Sequence, residues 1–360
     1  MGRLNDVVTA TAVPILCVAL SACSGAGEAA PARSTDGSAT GIPASEALVT
    51  SAASIEAHMR FLASDALAGR APGTEGFDVA ARYVADEFEE FALIPAGNIG
   101  TYFQSVPLRI SRPAGDDAEL LIHRDDATEA LVRWEDFVMD PEPGQESSSV
   151  TAPVVFAGHG IEAPEHGVDD YAGLDVDGAI VLVFAGTPAQ LPTDARAHLG
   201  RTDTKSRTAA DHGAVGVLRV IIPVAGQQAS SGLGQRGGRG SLGWLGPGGV
   251  GHDPAPELRG GATLSLPAAS RLFDGAARTF DEVRAEAAAG DSPTGFRLPV
   301  GVTMSQRTVY EGAFQSPNVV AVLSGSDAVL RDEYVVITAH LDHVGVGRAQ
   351  DGDDIYNGAG

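Results

Sequence analysis

The residues best suited to chemistry lie in AHLDHVGVG, residues 339–347. His340 and Asp342 are two positions apart, so both side chains point to the same side of an extended strand. A metal-bound imidazole commonly donates its other ring N–H to a carboxylate, which fixes the tautomer of the ring. The pair therefore predicts a metal ligand, His340, that Asp342 or another nearby carboxylate orients. The alternative is a structural histidine at a strand end, because a His-x-Asp pair also occurs by chance.

The residues around this pair predict two strands of an α/β sheet. EYVVITAHLDHVGVG, residues 333–347, begins with a near-continuous apolar run rich in β-branched side chains, which is typical of a buried central strand. SPNVVAVLSGSD, residues 316–327, predicts another strand that ends near Gly325. Functional side chains of open α/β sheets gather at the carboxyl ends of the strands, where His340 and Asp342 lie.

Two helices are expected before the sheet. The first begins at an N-cap, Ser54, and the second runs from about Glu75 to Phe91. Between them LAGRAPGTEG, residues 67–76, predicts a loop rich in glycine and proline. His58, in the first helix, has no partner in view and is expected to be a packed or surface histidine. The second helix is expected to carry its apolar face on Phe77, Ala81, Val84 and Phe88.

The middle of the chain predicts strands, a helix and a glycine-rich loop. Residues 152–161 and 178–184 contain short apolar runs bounded by glycine, which predict strands, and residues 206–223 predict a helix that ends at Gly213 and leads into a strand. Residues 231–251 contain ten glycines but lack the Lys-Ser/Thr of a phosphate-binding loop, so a flexible surface loop is expected. The histidines of this region lack metal-ligand spacing and are expected to be non-catalytic: His123, His159, His166, His198, His212 and His252.

The composition argues against nucleic acid as a partner. The 360 residues carry a formal net charge of −23 at pH 7, whereas a phosphate backbone requires a basic surface. A chain of this length is expected to form about two domains. Its hydrophobic content of 44% is sufficient for a large core.

The N-terminus predicts export. Residues 7–22 form an apolar run of signal-peptide length that is short for a membrane span. The run leads into LSAC, which resembles the lipobox of bacterial lipoproteins and makes Cys23 the expected lipidation site; an ordinary secretory signal is the alternative. Residues 24–46 are small and polar and predict a flexible tether. We therefore expect a lipoprotein of the bacterial cell envelope, in the periplasm or at the outer membrane, that lacks a disulfide because its other cysteine, Cys17, lies within the signal.

Several blocks together resemble the zinc exopeptidase family that includes aminopeptidase Y, glutamate carboxypeptidase II and the transferrin receptor ectodomain. The blocks at 316–327, 333–347 and GDDIYNGAG, residues 352–360, are similar to successive parts of these peptidases. Residues 58–97 are similar to the opening helices of the bacterial members. Residues 152–184 are similar to the protease-associated domain that is often inserted in them. The blocks follow one another in the order found in the family.

The resemblance implies a fold, a domain division and a cofactor. The fold would be α/β, with the three-layer hydrolase-like zinc-exopeptidase sheet, incomplete at the C-terminus, and an inserted, mostly β protease-associated domain. The site would hold two Zn²⁺ ions, with His340 as a ligand of one and Asp342 as the residue that supports His340. The implied division is a lipoprotein signal peptide (1–23), a tether (24–50), an N-terminal peptidase part (51–128), a protease-associated insert (129–299) and a C-terminal peptidase part (300–360).

The family motif continues beyond this sequence. After the Asn-Gly turn the family has Gly-Ala-x-Asp-Asn, and the first Asp of that motif bridges both metals; here Gly358, Ala359 and Gly360 fill the positions before it. We therefore expect a truncated form in which the remaining ligands and the catalytic Glu lie beyond residue 360. Such a chain should be inactive by itself, because a catalytic zinc site uses three protein ligands even when it holds one ion. It should also expose an apolar sheet face and be poorly soluble.

The expected activity is that of an aminopeptidase, in which a two-zinc-activated water hydrolyses the N-terminal residue of a peptide. A non-catalytic binding or scaffold protein of the transferrin-receptor type is the first alternative. A carboxypeptidase or glutaminyl cyclase on the same fold is the second. An unrelated hydrolase ranks below these, because Gly-x-Ser-x-Gly, His-Glu-x-x-His and Cys-x-x-Cys motifs are absent from the sequence.

Overall fold

A computed structural model describes residues 51–115, 117–223, 233, 240–350 and 352–358. In this part of the chain the fold is mixed α/β, as the sequence predicted. Almost all of these residues belong to one compact unit, Glu56–Gly360; a second unit, Met1–Ile55, contributes only residues 51–55. The predicted signal, the lipidation site Cys23 and the tether lie outside the described residues.

The helices are short, and the described part of the chain contains six α-helices and four 3₁₀-helices. The α-helices are α1 (Ala52–Leu62), α2 (Glu75–Glu90), α3 (Thr193–Leu199), α4 (Thr202–Asp211), α5 (Leu266–Leu272) and α6 (Phe280–Ala289). The 3₁₀-helices are Asp65–Arg70, Asn98–Gly100, Pro164–His166 and Pro247–Gly249.

Seventeen strands are formed by the same residues. The first nine are β1 (Ile94–Pro95), β2 (Phe103–Pro113), β3 (Glu119–Arg124), β4 (Ala127–Ala130), β5 (Phe137–Met139), β6 (Ser147–Phe156), β7 (Glu162–Ala163), β8 (Val168–Asp169) and β9 (Ile180–Phe184). The others are β10 (Gly216–Val220), β11 (Ser241–Trp244), β12 (Gly261–Leu264), β13 (Phe296–Tyr310), β14 (Phe314–Val319), β15 (Ala321–Val322), β16 (Gly345–Gln350) and β17 (Asp353–Tyr356).

Eleven of these strands form one sheet. Its main order is β11-β2-β13-β6-β9-β10-β12-β5, with β14 paired to β2, β3 paired to β13 and β4 paired to β3. The neighbours β6, β9, β10 and β12 are parallel, and the other pairs are antiparallel. The sheet contains strands from all three ranges that were predicted to be folded domains, and β13 runs across the predicted boundary at residue 300. The domain division stays a prediction.

The central strands are buried on both faces, which explains their continuous apolar runs. In β9, Ile180, Leu182 and Phe184 pack on one face together with residues of α5 and α6. Val181 and Val183 point to the opposite face, where they pack with Ala209 of α4. Alternate residues of one strand thus bury two separate cores, as the two-residue period of a strand requires. Helices therefore cover both faces of the sheet at β9.

The second predicted helix is confirmed within a residue. Helix α2 begins at Glu75, where the side chain of the N-cap Thr74 accepts a hydrogen bond from the Phe77 N–H at 3.3 Å. Phe77 and Ala81 are buried on the predicted apolar face. The predicted N-cap of the first helix, Ser54, was wrong by three residues. Helix α1 begins at Ala52, because the Ser51 hydroxyl, and not that of Ser54, is the one that accepts from a first-turn N–H.

The glycine-rich stretch is not a loop throughout. Strand β11 pairs with the edge of β2, with Ser241 opposite Ser111 and Trp244 opposite Leu108. The edge of β2 offers backbone groups that a neighbouring extended segment can satisfy, and this pairing overrides the low strand propensity of the glycines. The prediction of a flexible loop is therefore wrong for residues 241–244. The stretch 234–239 lies outside the described residues.

The predicted central strand around residues 333–342 is not formed. Residues 333–344 have no assigned strand or helix, and Val335 and Ile337 are 92% and 91% exposed. A β-branched run is stable as a strand only when neighbouring strands pair with its backbone and cover its side chains. In the part of the chain that the structure describes, no strand lies beside this segment. The strand predicted for residues 316–327 is formed in part, as β14 and β15.

Candidate functional site

His340 and Asp342 are in contact, although not through the strand geometry that was predicted. The His340 ring is 79% exposed, and its Nδ1 lies 2.8 Å from the backbone oxygen of Asp342 and 3.7 Å from the carboxylate Oδ1. A carbonyl oxygen can only accept a hydrogen bond, so Nδ1 carries the proton in the neutral ring. Nε2 then carries the free lone pair and is the ring atom available to a cation. The assignment of His340 as a metal ligand stays a prediction.

The segment around this pair is held in place by Arg70, a residue that no sequence motif singles out. Arg70 is 7% exposed, and its guanidinium donates to three backbone carbonyl oxygens. Nε donates to Leu341 at 3.0 Å, and Nη1 donates to Asn357 at 2.9 Å and also to Leu62. The backbone oxygen of Arg70 accepts a hydrogen bond from the His343 N–H at 3.1 Å. One arginine thus connects the end of α1, the His340 segment and the Asn-Gly turn.

The backbone of residues 68–70 adopts an unusual conformation that allows the contacts of Arg70. Ala68, Gly69 and Arg70 all have positive φ angles, of 45°, 68° and 52°. A Cβ atom on Gly69 would lie 2.6 Å from the Tyr356 oxygen and 2.7 Å from the Gly345 oxygen. The loop therefore approaches the β16–β17 hairpin so closely that a side chain is excluded at position 69. Left-handed non-glycine residues persist only when the surrounding contacts impose them.

The Asn-Gly turn is fixed from two directions. The Asn357 amide donates to the Asp65 carboxylate at 2.8 Å. Gly358 has a φ of 68°, and a Cβ there would lie 2.8 Å from Cγ of His343. In the strand before the turn, the Asp353 carboxylate accepts from the Ile355 N–H at 3.0 Å. The segments that carry His340 and Asn357 therefore meet at the Arg70 loop.

The described residues do not by themselves make a metal site. No group of three or more His, Cys, Asp or Glu side chains is arranged to hold a metal ion in the residues whose positions are described. His340 can offer one nitrogen, whereas a catalytic zinc site uses three protein ligands. The donor set present here therefore does not fit Zn²⁺ without further ligands.

A second cluster of ionisable groups lies in a cavity of about 890 Å³, and residues 339–345 do not line it. Glu142 is buried there, and its carboxylate accepts weak hydrogen bonds from Ser148 and Gln306 at 3.3 and 3.4 Å. Burial raises the pKa of Glu142 to about 7, and the nearby charges of Asp253 and Asp140 act in the same direction. The sequence offered no pattern that distinguishes Glu142 from the other carboxylates.

The single lysine is a buried structural residue. The Lys205 ammonium donates to the backbone oxygens of His159 and, at 3.4 Å, Phe184. Burial lowers its pKa to about 7, while the charge of Asp170 opposes that change. Burial also lowers the pKa of His159 to about 4, and Lys205 adds to the effect. Lys205 therefore joins α4 to the loop after β6.

Comparison with known proteins finds distant structural likeness. No protein-family model and no curated protein matches the sequence. Among solved structures, the fold is similar to that of an aminopeptidase from Aneurinibacillus sp. strain AM-1, at 19% identity over 78% of this chain and 50% of that chain, with a TM-score of 0.34. It is also similar to a peptidase M28 precursor from Shewanella amazonensis SB2B, at 14% identity over 76% of this chain and 53% of that chain, with a TM-score of 0.28.

A zinc aminopeptidase from Bacillus subtilis is a third such structure, at 14% identity over 75% of this chain and 46% of that chain, with a TM-score of 0.26. The chain thus spans about half the length of the solved structures that it matches.

Proposed function

We propose that this chain is part of a zinc-dependent exopeptidase with aminopeptidase activity. In this proposal His340 is a metal ligand, Asp342 orients it, and peptides with a free N-terminus are the substrates. The proposal includes export as a lipoprotein through Cys23. In the described residues no helix is long and apolar enough to cross a membrane.

The observation that carries the proposal is the meeting of two segments that are separate in sequence. The family motif has one metal ligand at the position of His340 and a bridging Asp shortly after the position of Asn357. Here the Arg70 guanidinium donates to the backbone oxygens of Leu341 and Asn357. The segments that correspond to these two parts of the motif therefore contact the same side chain. If the His-x-Asp pair had arisen by chance, contact between its segment and the Asn-Gly turn would not be expected.

The proposal requires ligands that the described residues do not contain. We propose that residues following Gly360 in the full-length gene product supply them, beginning with an acidic residue. For the 360-residue chain alone we expect no turnover, because one imidazole cannot hold a co-catalytic ion pair. In this proposal the described residues orient the His340 ring and hold the segment that carries it in place.

The test is zinc content and peptidase activity of the full-length gene product. The wild type should bind zinc and release p-nitroaniline from amino-acid p-nitroanilides. His340→Ala should abolish zinc binding at one site together with turnover, and Asp342→Asn should reduce activity by about 10- to 100-fold, as changes of groups that orient a ligand do. His58→Ala is the matched control, because His58 contacts Tyr83 at 2.5 Å in a different part of the chain.

A zinc-loaded wild type without activity on any peptide substrate would contradict the aminopeptidase assignment. A wild type that binds no zinc would instead favour the second candidate, a non-catalytic scaffold. The absence of a three-ligand group among the described side chains is the observation that favours this alternative.

A further inference from the structure

We propose that the cavity beside Glu142 binds an organic cation, whose ammonium or guanidinium group donates to the carboxylates of Glu142 and Asp253 and contacts the ring of Trp244. These three side chains line a cavity of about 890 Å³, a size typical of small-ligand sites. Residues 339–345 do not line it. The proposal therefore does not rest on the proposed exopeptidase function.

Glu142 presents a buried oxygen atom that lacks a hydrogen-bond donor. The residue is 7% exposed, and its Oε1 accepts the weak bonds from Ser148 and Gln306. No described residue donates to its Oε2. Oε1 of Gln306, which is 3% exposed, also has no donor in the described part of the chain. Buried acceptors without donors are costly and uncommon, so this network lacks an N–H group that a ligand could supply.

The backbone holds Glu142 in position before any ligand binds. Glu142 lies between Pro141 and Pro143, whose rings restrict the backbone on both sides. Its N–H donates to the Thr308 hydroxyl at 3.0 Å, and its backbone oxygen accepts from the Tyr310 hydroxyl at 3.2 Å. A preorganised carboxylate loses little conformational entropy on binding, which favours affinity.

The segments that carry Glu142 and Asp253 pass close to each other. A Cβ atom on Gly251 would lie 2.1 Å from the Pro143 oxygen, so a side chain is excluded at position 251. After burial, the charge of Asp253 is the largest cause of the raised pKa of Glu142. Asp253 accepts from the Ala255 N–H at 2.9 Å through Oδ1, and no described residue donates to its Oδ2. Two carboxylates with free oxygens therefore lie at the same end of the cavity.

The arginines that line the cavity are either paired or exposed. Arg219 is paired with Asp140, and Arg201 is paired with Asp203 at 2.8 Å. Arg207 is exposed. An anionic ligand would have to compete with carboxylates for the two paired guanidinium groups, whereas a cation would meet carboxylates that have no cationic partner among the described residues. The charges therefore favour a cation.

The remaining lining residues favour an organic cation over a metal ion. Among the residues whose positions are described, no three metal-binding side chains are arranged around one point. Trp244 and His252 both line the cavity and stack with their ring centroids 4.5 Å apart. Tryptophan is the aromatic side chain that attracts cations most strongly. Leu242 and Leu258 also line the cavity and offer apolar surface to the stem of a ligand.

The first test compares butylguanidinium with butylurea, its neutral analogue of the same shape, in the 360-residue chain. Low salt and pH 8 keep Glu142 ionised and unscreened, because its pKa is about 7. The chain has two tryptophans, of which Trp244 lines the cavity and Trp134 does not. In the NMR spectrum of isotope-labelled tryptophan, the Trp244 indole N–H reports binding and that of Trp134 is an internal reference.

We expect butylguanidinium and butylammonium to shift the Trp244 signal saturably and to bind at least about tenfold more tightly than butylurea or butyrate, since hydrogen bonds to charged groups are the stronger ones. Trp134→Phe assigns the two signals. Equal affinity for butylguanidinium and butylurea would overturn the proposal. Tighter binding of butyrate, or an unchanged Trp244 signal with every probe, would overturn it as well.

The second test compares Glu142→Gln with Glu257→Gln. Both substitutions remove one negative charge, but Glu257 is exposed and does not line the cavity. Glu142→Gln should weaken butylguanidinium binding by about tenfold or more, and Glu257→Gln should leave it unchanged. Asp253→Asn, which keeps an oxygen for the Ala255 N–H, should also weaken binding.

A folded Glu142→Gln variant with the butylguanidinium affinity of the wild type would overturn the proposal. If Glu142→Gln does not fold, the comparison of probes on the wild type still decides. None of these outcomes bears on the proposed exopeptidase function, because the experiments require neither zinc nor turnover.

Discussion

At the scale of single residues, burial decides which ionisable groups behave unusually. His340, which the motif identifies, is largely exposed, whereas Arg70, Glu142 and Lys205 are buried among backbone and apolar groups. A buried charge must be paired or hydrogen-bonded, or its pKa moves toward the neutral form. Arg70 donates to three carbonyl oxygens, and burial still lowers its pKa, while the charge of Asp342 opposes that change. Glu142 accepts weak hydrogen bonds from the neutral Ser148 and Gln306, which lower its pKa less than burial raises it.

Glu142→Gln is expected to stabilise the chain at alkaline pH. The pKa of Glu142 is raised in the folded state, from 4.5 to about 7, so ionisation opposes folding and stability is lost as the pH rises from 4.5 to 7. The neutral amide does not carry this penalty. The free energy of unfolding of the variant should therefore exceed that of the wild type by about 3 kcal/mol more at pH 8 than at pH 4, because the pKa rises from 4.5 to about 7 on folding.

Urea denaturation at the two pH values measures this difference. Glu257→Gln is the matched control, since Glu257 is exposed, and it should change the unfolding free energy by less than about 0.5 kcal/mol. Equal stability of Glu142→Gln and wild type at pH 8 would mean that the carboxylate is solvated or paired with a cation.

At the scale of elements, the same kind of apolar run has two outcomes. The run IVLVF in β9 is paired on both sides, by β6 and β10, and all five of its residues are buried. The run YVVI at residues 334–337 is also rich in β-branched residues but has no neighbouring strand among the described residues, and its side chains are exposed. Strand propensity describes how a side chain suits a half-buried pleated surface, so the run requires a partner before it becomes a strand.

Alanine substitutions in the 360-residue chain separate these two environments. Leu182→Ala removes a fully buried side chain of β9 and should cost about 2–5 kcal/mol of unfolding free energy. Ile337→Ala removes a side chain of similar size that is 91% exposed, and it should cost less than about 0.5 kcal/mol. Chemical denaturation measures both. A loss above about 2 kcal/mol for Ile337→Ala would show that the segment is packed as a buried strand.

At the scale of the whole molecule, a high net negative charge opposes an exposed apolar segment. The charge of −23 favours repulsion between copies. The exposed side chains of Val335, Val336 and Ile337 favour association, because an apolar, β-prone segment without partners is a template for pairing with another chain. The balance between the two effects depends on ionic strength, since salt screens only the charge.

We expect the 360-residue chain to self-associate as salt is raised. Increasing NaCl from about 0.01 M to about 1 M shortens the screening length from about 30 Å to about 3 Å, which removes most of the repulsion. Sedimentation velocity should show a shift from monomer to larger species. The double variant Val335→Asn, Ile337→Asn keeps the net charge and should remain monomeric at both salt concentrations. A wild type that stays monomeric at high salt would exclude this segment as an association surface.

Local patterns in the sequence determined the class of the fold, helix α2 and most of the central strands. Helix α2 was predictable because its cap at Thr74 and its apolar face are set by residues close together in the chain. Strands such as β9 were predictable because burial on both faces leaves a continuous apolar run. The His340–Asp342 pair and the adjoining Asn-Gly turn were recognisable for the same reason, since their spacing is local.

Tertiary structure alone decided which of these patterns acquired partners. Among the described residues, the run before His340 has no neighbouring strand and is exposed, whereas residues 241–244 of the glycine-rich stretch became strand β11 because β2 offered a free edge. Arg70 could not be identified from sequence, because two of its three acceptors are backbone oxygens of residues more than 270 positions away, and any residue can supply a backbone oxygen. The period of apolar side chains shows which residues face a core. It carries no information on hydrogen bonds between a side chain and backbone atoms that are distant in the sequence.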